Sequence, residues 1–332
     1  MMITQDLRIL TLLDWLENDL LLTIENLEPA SSDASFRRYF RISTPDGQFI
    51  VMDAPPEKEN IKPFIKVAEL MANANINVPK IYRQNLMDGF LLLEDFGSSC
   101  FLDHLNPHNA DALYQHALDS LFKQQTDNTL QNCDLPCYDD ALLTRELAIF
   151  NDWFITQWLD IEIPVELWQT TQTILIESAL DQPVSCVHRD YHSRNLMVLD
   201  NNSPGVIDFQ DAVIGPVTYD LVSLLRDCYI AWPEQQVGQW RESYFQRLQQ
   251  AGLINSNPVQ FKRWFDLMGI QRHLKALGIF SRLHLRDDKS SYLDDIPRTL
   301  SYVTTVCSNY PELTDFKRFI EAQHLPNYRV ST

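Results

Sequence analysis

Two short apolar runs with a polar loop between them constrain this chain more than anything else in it. Residues 187–200 read "VHRDYHSRNLMVLD", and residues 205–212 read "GVIDFQDA". The apolar runs have strand character, and turn-forming residues separate them. Asp190 is followed after four residues by Asn195, and Asp208 then closes the second run. H-R-D, four residues and N is the loop pattern of phosphoryl transfer, in which the aspartate takes the acceptor hydroxyl's proton and the asparagine holds Mg²⁺. A hard cation facing phosphate oxygens wants oxygen donors of its own. The Asn195 amide and the Asp208 carboxylate supply two without neutralising the ion, while Asp190 stays free to orient a hydroxyl.

The remaining pattern divides near Gly97. Before it, apolar residues Leu7, Leu10, Leu13, Leu16 and Leu20 recur at helical spacing, and then short strands alternate with turns at Asp46-Gly47 and Asp88-Gly89. A helix over 61–74 interrupts them, with Pro63 tolerable in its first turn. After Gly97 the periodicity is helical over 108–125, 139–160, 164–181, 217–230, 234–251, 258–285 and 296–308, broken only by the strand-like stretch that opened this section. The expectation is an α+β, two-lobed architecture with a small antiparallel sheet first and a mainly helical lobe second.

Composition narrows the partners. Of 332 residues 45% are hydrophobic, enough for a sizeable core, and the formal charge is −18. Such an excess of acid disfavours nucleic acid, which needs clustered Lys and Arg. No run of about 18 apolar residues predicts a membrane span, and the acidic N-terminus lacks the basic start of a secretory signal. A cytoplasmic protein is expected. The six cysteines are scattered, and Cys133 and Cys137 lack the further ligands of a zinc site. Nothing in the sequence requires an oligomer, and a monomer is compatible with it.

The loop "HRDYHSRN", the segment "IDFQDA" and the following "GPVTYDLVSLLRDCY" resemble the aminoglycoside phosphotransferase and choline kinase superfamily, relatives of the protein kinases. The resemblance implies a protein-kinase-like fold, with residues 1–96 as the nucleotide-binding lobe and 97–332 as the catalytic and substrate-binding lobe. It implies ATP and Mg²⁺, with Asp190 as base, Asn195 and Asp208 on the metal, and His192 near the γ-phosphate. His188 and Asp220 would brace the loop. "FLLLEDFG" matches the strand and hinge beside adenine, with Glu94 and Phe96 offering backbone groups.

The phosphate side departs from the pattern. "ASSDASFRRYF" has no glycine, although Ser31 and Ser32 could approach phosphates, and "FIVMDAP" puts Asp53 near the position of the strand-three lysine, where a carboxylate would repel them. Arg37 or Arg38 would have to compensate; alternation sends them to opposite faces. "SSDASFRRYFRI", "VMDAPPE", "PFIKVAELM" and the loop motifs together resemble the bacterial N-acetylmuramate/N-acetylglucosamine kinases, in which both departures are expected. That likeness implies phosphorylation of a sugar's anomeric hydroxyl in peptidoglycan recycling. Arg194, Asp211 and the aromatics Trp153, Tyr229 and Trp232 are candidates to touch the sugar. A kinase of aminoglycosides or choline, for which the acidic charge would matter, and a non-catalytic nucleotide-binding module remain as alternatives.

Overall fold

A computed structural model describes residues 6–31, 36–200 and 204–323. The chain opens with α1 (Leu7–Asp14), prolonged by a π-helical turn at Trp15–Asp19. Five strands follow: β1 (Asn26–Ser31), β2 (Arg38–Thr44), β3 (Gly47–Asp53), β4 (Ile81–Asn85) and β5 (Phe90–Glu94), with α2 (Lys62–Asn73) inserted after β3. They form one antiparallel sheet in the order β1-β2-β3-β5-β4.

The register sorts every side chain of this sheet to a face, because directly opposed residues point the same way. Phe40 faces Val51 and Ile42 faces Phe49; with Phe90 and Leu92 they bury Ile9, Leu12, Trp15 and Leu16 of the first helix. Met52, Leu91 and Leu93 point the other way, into the larger core that holds Phe64, Val67 and Met71 of α2. The amphipathic N-terminal helix therefore roofs the sheet on the side away from α2.

Helices dominate the rest: α3 (Phe101–His104), α4 (Ala110–Thr126), α5 (Asn128–Gln131), α6 (Asp140–Ile149), α7 (Val165–Leu180), α8 (Tyr219–Leu225), α9 (Glu234–Gln250), α10 (Pro258–Asp287), α11 (Ile296–Cys307) and α12 (Thr314–Glu321). A nine-residue π-helical segment, Phe150–Trp158, continues α6. The 30-residue α10 is the central post: 18 of its residues are buried, which is why its apolar pattern runs round the whole helix. Two small ladders pair β6 (Val184–Val187) with β9 (Val213–Pro216) and β7 (Leu196–Met197) with β8 (Gly205–Val206). The α+β architecture is as expected. The expected helix at 217–230 stops at Leu225, because Arg226 leaves the helical region and turns its guanidinium into the core toward Asp266.

Candidate active site

The loop between β6 and β7 begins and ends in paired backbone. Cys186 and Val187 are locked against Ile214 and Val213, and Leu196 against Val206. Eight residues, 188–195, must turn in that interval. Arg189 adopts φ 78° and Asp208 φ 64°, a left-handed conformation that non-glycine residues take only where their surroundings insist.

At Arg189 the surroundings include Asp220, at the start of α8. Its fully buried carboxylate accepts the backbone N–H of His188 at 2.6 Å, that of Arg189 at 3.0 Å and the amide of Gln124 at 2.9 Å. Burial lifts the Asp220 pKa above the ordinary value against the pull of these donors. His188 is also fully buried, and Nε2 meets the Ile207 carbonyl at 3.0 Å while Nδ1 accepts the Asp190 N–H at 3.3 Å. These partners assign the proton to Nε2, and burial lowers the ring's pKa, so His188 is neutral. It ties the loop to the strand end that carries Asp208.

Asp190, Asn195 and Asp208 come together at the mouth of this loop. The Asn195 amide donates to the Asp190 carbonyl at 3.0 Å and to the Asp208 carboxylate at 3.3 Å, leaving its own oxygen as an acceptor. The Gln210 amide donates to the other Asp208 oxygen at 2.8 Å. Asp208 is exposed, and Asp190 is half-buried. Burial opposes ionisation of Asp190, but the positive charge of Lys275, with that of Arg272, outweighs it and holds the carboxyl below its usual range. Asp190 is thus a carboxylate near neutrality, as a proton acceptor must be.

His192 is buried with its ring edge-on to Tyr229 at 5.3 Å, and burial drops its pKa to about 4. The Ser193 N–H and hydroxyl donate to buried Asp227 at 2.9 and 2.5 Å. Arg194 is exposed and lies 3.7 Å over the Tyr229 ring, a cation–π contact. Asp211 is exposed, and its carbonyl accepts from Arg189. Of the three candidate aromatics, Tyr229 stands beside the loop and Trp153 is half-buried in the π-helical segment. Trp232 is committed elsewhere, bonding the Tyr114 hydroxyl at 2.8 Å and packing edge-on against Trp240.

The nucleotide side corrects one expectation. Asp53 does not face the loop: its register partner Arg38 and neighbour Phe90 put it on the α1 face. There its fully buried carboxylate is held by Arg8 and Arg38, and Arg38 also reaches Asp6. Arg38 is accordingly turned away from α2 and the loop. Arg37 pairs with Glu59 at 3.1 Å. Ser32 lies outside the described residues, and of Ser31 only the backbone is described, at the end of β1. Glu94 accepts the Lys80 N–H through its side chain at 3.2 Å. Phe96 is buried against Gly205, where a Cβ would meet the ring at 2.6 Å, so glycine is needed there. Arg41 grips Asp95 through two bonds of 2.6 and 2.9 Å, and Asp95 accepts the Gly97 N–H. Phe209 packs on Phe64 of α2 at 4.8 Å, joining the segment that carries Asp208 to the first lobe's helix.

Sequence reasoning missed the layer behind the loop. Buried Glu146 of α6 binds Arg189 and Tyr138 and takes Lys275 of α10 at 2.9 Å. A signal existed: Gln124, Glu146, Arg272 and Lys275 are polar residues at apolar-face positions of helices, where an unpartnered group is costly.

Comparison with known proteins agrees with this geometry. Residues 26–255 match the phosphotransferase enzyme family. The chain is 46% identical to an N-acetylmuramate/N-acetylglucosamine kinase of Pseudomonas putida over 89% of its length and 87% of the relative's. Identity is 47% to the protein of that name from Pseudomonas aeruginosa, over 87% and 86%. In fold it resembles a choline kinase of Streptococcus pneumoniae, with TM-score 0.62, 12% identity and coverage of 89% and 98%. An ADP-bound aminoglycoside phosphotransferase superposes with TM-score 0.57, 15% identity and coverage of 90% and 97%. The two-lobed fold is therefore of the protein-kinase-like type, and the chain belongs to the phosphotransferase enzyme family.

Proposed function

We propose that this protein is a small-molecule kinase that transfers the γ-phosphoryl group of ATP to the anomeric hydroxyl of N-acetylmuramate or N-acetylglucosamine, in peptidoglycan recycling. The observation that carries the reading is the loop in which an ionised Asp190 stands beside the Asn195–Asp208 pair, in a chain 41–47% identical to three kinases of that name.

Asp190 accepts the acceptor hydroxyl's proton on its carboxylate as the oxygen bonds to the γ-phosphorus and the bond from that phosphorus to the bridging oxygen of ADP breaks, releasing ADP. A hemiacetal hydroxyl is more acidic than an ordinary alcohol, so a carboxylate suffices as base. Asn195 and Asp208 fit Mg²⁺: an amide oxygen and an exposed carboxylate are hard donors already drawn together by one hydrogen bond. Bound there, the ion would neutralise charge on the phosphates. Neutral His192 stays beside the acceptor without competing for the proton that Asp190 takes. His188 and Asp220 hold the backbone so that Asp190 keeps its aim.

Residues 1–96 are read as the nucleotide-binding lobe and 97–332 as the catalytic lobe. Glu94 and Phe96 are read as offering backbone groups to adenine, Arg37 as the cation for the phosphates, and Arg194 and Asp211 as flanking the sugar; the sequence also assigns Ser31 and Ser32 to the phosphates. Among the described residues no helix is long and apolar enough to cross a membrane, and the reading places the protein in the cytoplasm, where ATP is made.

The test is turnover with ATP and Mg²⁺ on N-acetylmuramate, N-acetylglucosamine, an aminoglycoside and choline, with assay of the product for acid-labile anomeric phosphate. Turnover of the N-acetyl sugars alone is expected. Turnover of a cationic acceptor instead would replace this reading.

A further inference from the structure

Arg272 projects from α10 one turn before Lys275 and is only 6% exposed. A buried guanidinium normally has a carboxylate to offset its lost hydration. The neighbouring buried cations have one: Arg189 and Lys275 share Glu146, and Arg226 has Asp266. Among the described residues no carboxylate forms an ion pair with Arg272, and no oxygen takes a hydrogen bond from it. Its one bond runs to the Cys228 sulfur at 3.5 Å, a thiol that burial keeps protonated.

Its surroundings are those of the catalytic loop. Cys228 follows Asp227, which holds Ser193. Tyr229, the next residue, meets His192 on its edge and carries Arg194 on its face. The charge of Arg272 reaches both Asp190 and His192. In a protein of formal charge −18, the positive charges of Lys275 and Arg272 thus converge on Asp190, and Arg194 lies nearby on Tyr229. Lys275 is bound to Glu146, and Arg194 is stacked on Tyr229. Of the three, Arg272 is the buried guanidinium whose planar fork of donors holds no anion, the geometry that accepts a carboxylate through two parallel bonds.

We propose that Arg272 receives a carboxylate of the acceptor and so sets a preference for the acidic N-acetyl sugar over the neutral one. This rests on the function proposed above, and it deepens it, since N-acetylmuramate carries a carboxylate that N-acetylglucosamine lacks. A guanidinium at this place could instead meet the transferring phosphoryl group, and the two roles separate kinetically.

The experiment measures kcat and KM on both sugars for the wild type, Arg272→Gln and Arg272→Lys, with melting curves in the presence of each sugar. In Arg272→Gln the ratio of kcat/KM for N-acetylmuramate to that for N-acetylglucosamine is expected to fall about 10- to 100-fold, mainly through KM. N-acetylmuramate should also lose its greater stabilising effect on the fold. Arg272→Lys, which keeps the charge and loses the fork, should fall between; it carries the test if the glutamine variant does not fold. An unchanged ratio overturns the proposal, as does an equal loss of kcat on both sugars, which would assign Arg272 to the phosphoryl group. A wild type that phosphorylates neither sugar would overturn the function itself, a result distinct from both.

Discussion

Asp53 in the small sheet and Asp220 in the helical lobe are both fully buried, and they are held in opposite ways. Asp53 meets two guanidinium groups, Arg8 and Arg38, that are 27% and 36% exposed and come from separate elements. Asp220 meets backbone N–H groups of one loop and a buried amide. The first arrangement fastens α1 to the sheet. The second holds a particular backbone conformation, with Arg189 at φ 78°, and only a fixed acceptor can do that. Of these two buried acids, the one beside the candidate site is the one whose partners are the backbone groups leading into Asp190.

The sharpest way to break this contrast is at Asp190. Asp190→Asn should lower kcat by roughly 10²- to 10⁴-fold with nucleotide binding retained, since the proposed proton acceptor goes while Asn195 and Asp208, proposed to hold the metal, stay. Turnover within a few-fold of wild type would remove Asp190 from the chemistry. Next is Asp220→Ala, which strands two backbone N–H groups and the Gln124 amide. It should cost about 3 kcal/mol in urea unfolding and depress kcat as well. Asp53→Ala should cost less, about 1–2 kcal/mol, because Arg8 and Arg38 can turn to water, and its turnover should stay near wild type. If Asp53→Ala instead loses activity as Asp190→Asn does, the carboxylate belongs to the cleft after all.

A pH series sharpens the comparison from the loop side. His192 has a folded pKa of about 4, below the 6.5 of a free histidine. Between these values the unfolded chain binds the proton and the native one does not, so stability rises with pH across the window and is lost as pH falls from about 6.5 toward 4. His192 can account for roughly 3 kcal/mol of that loss at most. In His192→Gln the melting temperature should change less over that window; a parallel curve would show that His192 is not buried neutral.

Much of the molecule was legible in the chain. The Asp190–Asn195–Asp208 rhythm, the Asp46-Gly47 hairpin and nearly all long helices fall where periodicity and turn chemistry put them, because each is decided by residues close in sequence. The short α3, α5 and α12 were not anticipated; four to eight residues carry too little periodicity to stand out. Strand alternation also showed that Arg37 and Arg38 must part.

That Arg38 turns to the α1 face, toward Asp53 and Asp6, was decided only by the tertiary structure. Face depends on register against β3 and on the packing of α1, neither of which is local. The same holds for Asp53, an apparent obstacle to phosphate that the fold turns away and neutralises. It holds again for Lys275 and Arg272 of α10, distant from the loop in sequence, whose charges hold Asp190 ionised, and for Glu146, which pairs with Lys275 and Arg189. Sequence by itself determined the kind of chemistry, because that chemistry needs specific side chains at fixed spacing along one loop. Tertiary structure decided the charge around it, because Coulombic partners are chosen by distance in space.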